Sequence, residues 1–282
     1  MTVIIMMITV VFCYTICSLS DKYAVSTAKF NGNEFTFLMA AATAVFMLVC
    51  LPFQDCTFTL SWQSFAAIGL IAASKMLEFQ MGALVLLELS AFELKAWLGI
   101  ILFVSYITDI IYGAQAKIIC FVFIALTAGG LILIAQQGRK DNINYKKIII
   151  PLIVYLAAKF GYGFVIKAFT PYISSTMQLF WALVLMAAIL LPKAKPRDIF
   201  RKNPKGAWVV ILTKIPNVAG LLLENAVIAV SLANYSFIQP MILIALFAIG
   251  LIKKDKYTKL SLAGSIVCIA GIVGFQIASI AV

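Results

Sequence analysis

The chain has 282 residues, of which 63% are hydrophobic and only 12% are charged, and its formal net charge is +11. Soluble domains carry about 45–50% apolar and about 25% charged residues, so the composition excludes an ordinary soluble protein and indicates an integral membrane protein. The sequence contains no histidine, which excludes a His-based zinc site and a Ser-His-Asp triad. We therefore expect no metal, no cofactor and no enzymatic activity.

Apolar stretches of about 20 residues, the length that spans a bilayer, follow one another along the chain. Polar residues at 31–33 and 52–59 separate the first three stretches, and the longest polar stretch, 136–147, falls at the midpoint. The first stretch lacks a basic n-region and a convincing cleavage site, so it is predicted to be a membrane helix and not a signal peptide. The predicted helices cover residues 3–22, 35–53, 62–82, 84–107, 116–137, 148–168, 173–192, 206–229, 232–252 and 259–280.

The two halves of the chain resemble each other weakly. Residues 83–92 resemble residues 226–235, which lie 143 positions later. Because five helices per half is an odd number, the second half must enter the membrane from the opposite side, as in the inverted repeats of many secondary transporters. The predicted fold is thus all-α and integral to the membrane, with ten transmembrane helices in two inverted five-helix repeats, 1–138 and 139–282.

The basic residues indicate an orientation. They lie in short loops between apolar stretches, where they act as topology signals, and no nucleic-acid partner is expected. Sixteen of them fall on one predicted face, while the other face holds Lys117 and Lys167. The positive-inside rule then places both termini outside a multi-pass protein, which we expect in the cell (plasma) membrane.

Several short motifs in the second half carry a family resemblance. Residues 231–233 (Ser-Leu-Ala), 239–240 (Gln-Pro), 262–265 (Leu-Ala-Gly-Ser) and 270–271 (Ala-Gly) resemble the end of a repeat in the drug/metabolite transporter (DMT) superfamily, of the EamA-like ten-helix type. The resemblance implies ten helices in two inverted halves. It also implies a substrate cavity formed by the first, third, fourth, sixth, eighth and ninth helices.

The chain departs from the family pattern at three points. Glu93 and Lys95 lie where the family has a proline at the start of its fourth helix, and residues 253–255 (Lys-Lys-Asp) replace an acidic residue before the last helix of the repeat. Most members also keep the N-terminus in the cytoplasm, opposite to the orientation that the charges favour. These departures leave the subfamily and the substrate open.

Ionisable residues inside the predicted helices are the main functional signal. Each charge at the bilayer centre costs at least about 2.5–3.5 kcal/mol, so each must pair, reach an interface or line a polar cavity. Lys75 and Glu78 are spaced to pair along one helix face, which could be purely structural. Glu224 has no partner one turn away in its own helix. The eight charges fall on the third, fourth, sixth and eighth predicted helices and are Lys75, Glu78, Glu88, Glu93, Lys95, Lys159, Lys214 and Glu224.

Glu93 and Lys95 are two positions apart, so they point to different sides of a helix and need partners on other helices. Lys214 precedes Pro216 and Asn217, where a kink is expected. Polar and aromatic residues on the remaining helices could add hydrogen bonds or cation–π contacts. The predicted substrate- or proton-binding residues are Glu224, Glu93, Lys95, Glu78, Lys75, Lys214, Lys159, Tyr14, Tyr162, Asn217, Asn225, Tyr235 and Gln239.

The leading functional hypothesis is a secondary transporter that moves a small polar or zwitterionic metabolite, such as an amino acid or an amine, by alternating access. Glu224 or Glu78 would bind a cation or a coupling proton, and Lys75, Lys95 or Lys214 would meet an anionic group. The alternatives are a flippase for a lipid or lipid-linked carrier and a non-transporting membrane scaffold. The expected partners are a small-molecule substrate and the lipid bilayer, and the protein is expected to be a monomer or a homodimer.

Overall fold

The computed structural model describes residues 2–26, 30–89, 91–136, 145–252 and 257–280. For fifteen residues within helices, Lys95 among them, it describes the backbone only. Over these ranges the chain is helical apart from short connections, a 3₁₀ turn at Leu51–Phe53 and one isolated β-bridge. The α-helices are α1 (Thr2–Ser26), α2 (Gly32–Cys50), α3 (Trp62–Glu88), α4 (Ala91–Trp97), α5 (Gly99–Ile111), α6 (Ile118–Ala135), α7 (Tyr145–Phe169), α8 (Ser175–Ala194), α9 (Pro196–Lys202), α10 (Pro204–Leu212), α11 (Lys214–Val230), α12 (Leu232–Ile252) and α13 (Lys259–Ile280).

Eight helical stretches in the described part of the chain are long and apolar enough to cross a membrane. They correspond to α1, α2, α6, α7, α8, α10 with α11, α12 and α13. The predicted all-helical class is confirmed, and these stretches indicate a multi-pass membrane protein. Helix α3 has 27 residues and carries the charged residues Lys75, Glu78 and Glu88, and α5 is apolar but has 13 residues.

The boundary predicted between the third and fourth helices is wrong by several residues. Helix α3 continues to Glu88 and ends where Leu89 takes an extended backbone conformation, with its N–H donated to Val85 O at 2.8 Å. Nothing in residues 83–88 interrupts a helix, since the stretch contains neither glycine nor proline. The predicted helix 84–107 is accordingly divided between the end of α3, the short α4 and α5.

The expected kink near Lys214 takes the form of a break between α10 and α11 at Thr213. Pro216 has no N–H and so cannot donate to the carbonyl of Leu212. The Thr213 hydroxyl donates to Val210 O at 2.8 Å. The thiol of Cys17 on α1 donates to Thr213 O at 3.4 Å. The loosened turn is therefore covered by α1.

Helices α6 and α13 cross at very short range. A Cβ added at Gly130 would lie 2.5 Å from Cys268 N and 2.7 Å from Gly264 O, and one at Gly271 would lie 2.6 Å from Thr127 N. These neighbouring atoms belong to the backbone, so they cannot move aside as a flexible side chain would. Glycine is the residue that permits such close approach of two helices in a membrane.

The two ends of the bundle can be recognised from the residues that meet there. One cavity of about 730 Å³, which we call the vestibule, is lined by residues of several helices. They include Val3 of α1, Asp109 of α5, Lys167 of α7 and Ser279 of α13. Both ends of the described chain thus lie at this vestibule end. At the other end, the α9 end, Lys202 of α9 pairs with Glu34 of α2. The location of the termini outside the cell stays a prediction.

Helices from both halves of the chain pack together in the middle of the bundle. Helix α1 packs against α11 and α12, α2 packs against α8, and α3 packs against α7 and α8. The candidate functional site lies among these helices.

Candidate functional site

A cavity of about 210 Å³ lies in the middle of the bundle and is lined by α1, α2, α3, α7, α8, α11 and α12. We call it the central cavity. Its wall combines apolar side chains such as Leu179 and Met186 with an unusual number of polar and charged ones. The polar and charged lining residues are Tyr14, Ser18, Thr43, Lys75, Glu78, Lys159, Asn217, Glu224 and Gln239.

Glu78 joins two lysines from different helices. Lys159 Nζ of α7 lies 2.8 Å from Glu78 Oε1, and Lys75 Nζ lies 3.1 Å from Glu78 Oε2. The Lys75 ammonium also sits 3.8 Å from the centroid of the Tyr162 ring, in cation–π geometry. These three charged side chains are 10–13% exposed, so water screens them little. The pairing of Lys75 with Glu78 along α3 is present as predicted, but it is one part of a contact between two helices.

Glu224 has a different environment from Glu78. It is 2% exposed on α11, and the Tyr14 hydroxyl of α1 donates a hydrogen bond to its Oε2. The Tyr14 ring lies against Gly220, where a Cβ would be 2.8 Å from a ring carbon. The glycine therefore leaves the space that Tyr14 needs to reach the carboxylate. The partner of Glu224 comes from another helix, as the absence of one in its own helix required.

Three further predicted residues form a buried layer behind the cavity wall. The Tyr162 hydroxyl donates to Asn225 Oδ1 at 3.1 Å, and the Tyr235 hydroxyl donates to Lys159 O at 3.3 Å. All three are at most 3% exposed. Tyr162 thus contacts Lys75 and α11, and Tyr235 contacts the backbone of Lys159. None of the three belongs to the lining of the central cavity.

Three predicted residues lie elsewhere. Glu93 is 7% exposed and lines a separate groove of about 440 Å³ with Trp97 and Gln136. Because α3 ends later than predicted, Glu93 falls in the first turn of α4, and this helix packs against α6. Lys214 is fully buried at the start of α11, outside the lining of the central cavity. The side chain of Lys95 lies outside the described part of the structure.

Sequence reasoning missed residues that take part in or adjoin the site. Ser18 and Thr43 line the central cavity, but single hydroxyl residues in apolar helices give no signal in the sequence. Asp109 is 5% exposed and contacts α7 and α12, although it lies outside the predicted helix 84–107. Its position before the Gly113 turn was visible, but its partners, which lie at least 58 residues away in the chain, were not.

Comparison with protein-family models finds no family that matches this chain, and no curated protein matches it. Membership of the drug/metabolite transporter superfamily therefore stays a prediction from the motifs. What the site can do must be argued from its own geometry. Within the described residues, no group of three or more Cys, Asp or Glu side chains is arranged to hold a metal ion.

Proposed function

We propose that the protein is a secondary transporter that moves a small zwitterionic metabolite, of the size of an amino acid, by alternating access. The observation that carries this proposal is the convergence of Lys75, Glu78, Lys159 and Glu224 on one small cavity in the middle of an apolar bundle. Intramembrane charges are expensive, and they are retained mainly on substrate and ion pathways.

The charges in the cavity form two poles that suit a zwitterion. Lys75 and Lys159 share the single carboxylate of Glu78, so this pole keeps one positive charge in excess and can receive a carboxylate. Glu224 is held by a phenol hydroxyl and can receive an ammonium group or a coupling proton. The cavity volume of about 210 Å³ is below the ~300–1,000 Å³ of pockets for drug-sized ligands, which favours a small substrate.

The packing of the helices supports an inverted repeat of two five-helix halves. Such a repeat makes α7 the counterpart of α1, α8 of α2, α10 with α11 of α3, and α13 of α6. The observed contacts match this correspondence. Helix α1 packs against α11, and its counterpart α7 packs against α3, the counterpart of α11. The counterparts α2 and α8 pack on each other, and so do the counterparts α6 and α13. Helix α3 is then the ninth span, and α4 together with α5 is the tenth, in addition to the eight long apolar stretches.

The two carboxylates of the cavity follow the same correspondence. Glu224 lies 146 positions after Glu78, and Lys159 lies 145 positions after Tyr14, close to the spacing of the sequence repeat. Tyr14 donates to Glu224 as Lys159 donates to Glu78. The site is thus pseudo-symmetric in position but asymmetric in charge, which gives a zwitterion a preferred orientation.

Uptake into proteoliposomes tests the proposal. Purified protein should accumulate labelled alanine, and we expect less uptake of lysine and glutamate, because their extra charge has no partner in the cavity. Glu224→Gln should lower the initial rate of alanine uptake by at least about tenfold, since a hydrogen bond to a charged group contributes about 1.5–3 kcal/mol. If Glu224 receives a coupling proton and not the ammonium group, an imposed pH gradient should accelerate uptake by the wild type and not by this variant.

Glu93→Gln is the matched control, because Glu93 is also a buried carboxylate but lies in the groove beside α6. It should leave alanine uptake close to that of the wild type. Equal uptake by the wild type and Glu224→Gln would remove Glu224 from the mechanism. No uptake of any of the three amino acids above protein-free liposomes would reject the proposed substrate class.

The groove that holds Glu93 favours the second candidate function, a flippase for a lipid or lipid-linked carrier. Ile100 and Ile132 on its rim are about half exposed, at 49% and 56%, so the groove opens toward the surrounding bilayer. Scrambling of a fluorescent phospholipid in the same liposomes tests this function. Scrambling that is lost in Glu93→Gln and retained in Glu224→Gln would favour it over amino-acid transport.

A further inference from the structure

Asp109 connects the two halves of the chain at the vestibule end. It lies near the end of α5, and its carboxylate accepts hydrogen bonds from Leu232 N at 3.0 Å, Ala233 N at 2.8 Å and Ser231 Oγ at 2.7 Å. Lys167 Nζ of α7 pairs with the same carboxylate at 2.7 Å. An aspartate of the first half thus caps the N-terminus of α12 and binds α7, both in the second half.

Two connecting segments form a second contact between the halves at the same end. Phe58, between α2 and α3, forms an antiparallel β-bridge with Ile173, between α7 and α8. Thr59 N donates to Tyr172 O and Ser174 N donates to Thr57 O, each at 2.9 Å. The Ser174 hydroxyl also donates to the carbonyl of Asp55 at 2.6 Å.

The first of these segments is itself ordered by local hydrogen bonds. Thr57 donates to Asp55 Oδ1 from its hydroxyl and from its backbone N–H, and these bonds hold the pKa of the Asp55 carboxyl below its usual range. A preformed segment loses less conformational freedom when it binds its partner than a flexible one would.

The contact at Asp109 lies beside the wall between the vestibule and the central cavity. On α12, Asn234 lines the vestibule and Gln239 lines the central cavity. On α11, Ala229 lines the vestibule and Glu224 lines the central cavity. Each pair is five residues apart, or about 8 Å along a helix. The break between α11 and α12 at Ser231, where Asp109 binds, therefore lies on the vestibule side of this wall.

We propose that Asp109 and the bridge between Phe58 and Ile173 are the two latches of a gate that closes the vestibule end, and that both must release for the central cavity to open there. The inference rests on the proposed function, since alternating access requires one end to be closed while the other opens. Both latches join helices of the two halves at the vestibule end, so a movement that parts the helices at that end must break them.

A disulfide across the bridge tests the gate. The hydrogen bonds that flank Phe58 and Ile173 make them a non-hydrogen-bonded antiparallel pair, for which a Cα separation of about 4.5 Å is typical and within the range of disulfides. We expect oxidation of the double variant Phe58→Cys and Ile173→Cys, made together with Cys56→Ser, to abolish alanine uptake, and a reductant to restore it. Each single variant should be insensitive to oxidant. Full uptake by completely oxidised protein would overturn the proposal.

A second measurement reports the gate without transport. In a variant whose natural cysteines are replaced, Ser18→Cys places one thiol on the wall of the central cavity. A membrane-impermeant maleimide added at the vestibule end should label it several-fold faster when Asp109→Asn or Lys167→Met is also present. Glu34→Gln, which removes an ion pair at the α9 end, is the control and should not raise this rate.

The two measurements separate the gate from the proposed function. Unchanged labelling in both the Asp109→Asn and Lys167→Met proteins would reject the gate even if alanine is transported. Faster labelling in a protein that transports none of the three amino acids would support the gate and reject the proposed substrate class.

Discussion

Glu78→Gln is expected to lower the free energy of unfolding by about 3–5 kcal/mol, the usual cost of removing one partner of a buried ion pair. The substitution leaves Lys75 and Lys159 facing each other without the carboxylate that lies 3.1 and 2.8 Å from them. Both lysines are almost buried, so water cannot take over the role of Glu78. The midpoint of unfolding in an SDS titration, or the thermal midpoint in detergent, measures the loss.

Glu88→Gln provides the control on the same helix. Glu88 also pairs with a lysine at 3.1 Å, but its partner Lys147 is 69% exposed at the α9 end of the bundle. An exposed pair contributes about 0–1 kcal/mol, so this variant should unfold close to the wild type. Equal destabilisation by the two substitutions would show that burial of the Glu78 cluster does not determine its contribution.

A compensating substitution distinguishes charge from packing. Adding Lys159→Met to Glu78→Gln removes one of the two unpaired ammonium groups and leaves Lys75 on the face of the Tyr162 ring. We expect part of the lost stability to return.

Gly130→Ala is expected to destabilise the protein by about 1–3 kcal/mol, the range for overpacking a closely packed contact. The new methyl group would lie 2.5 Å from a backbone nitrogen of α13, so α6 and α13 must move apart. These helices occupy corresponding positions in the two proposed repeats, and their separation would loosen the contact between the halves. Thermal unfolding in detergent, followed by size-exclusion chromatography, measures the shift.

The neighbouring residue supplies the control. A Cβ at Gly129 would have no heavy atom of another residue within 4 Å, apart from its chain neighbours and its own helix, because this face of α6 does not point at α13. Gly129→Ala is the same chemical change one position away and should not destabilise the protein, because alanine in an open helical position is more favourable than glycine by about 0.5–1 kcal/mol. A comparable loss in both variants would contradict the close crossing of α6 and α13.

The sequence by itself determined the class of the protein and most of its helices. Apolar runs of bilayer length predict membrane helices because backbone polar groups in lipid must bond within the segment, and this constraint is local. Pro216 marked the break at Thr213 through an equally local effect. Proline has no N–H, so the carbonyl four positions earlier loses its helical hydrogen bond. The cost of intramembrane charge also singled out Lys75, Glu78, Lys159 and Glu224 without a structure.

Only the tertiary structure decided which of these charges meet. The partners lie far apart in the chain: 81 residues separate Glu78 from Lys159, 210 separate Tyr14 from Glu224, and 58 separate Asp109 from Lys167. The choice of partner therefore depends on which helices pack together. Periodicity cannot resolve that choice in helices that are apolar on nearly every side. For the same reason Glu93, which is as costly to bury as Glu224, was expected in the central cavity but lies in a groove beside α6. A charge in a membrane helix requires a partner, and the packing of the helices selects it.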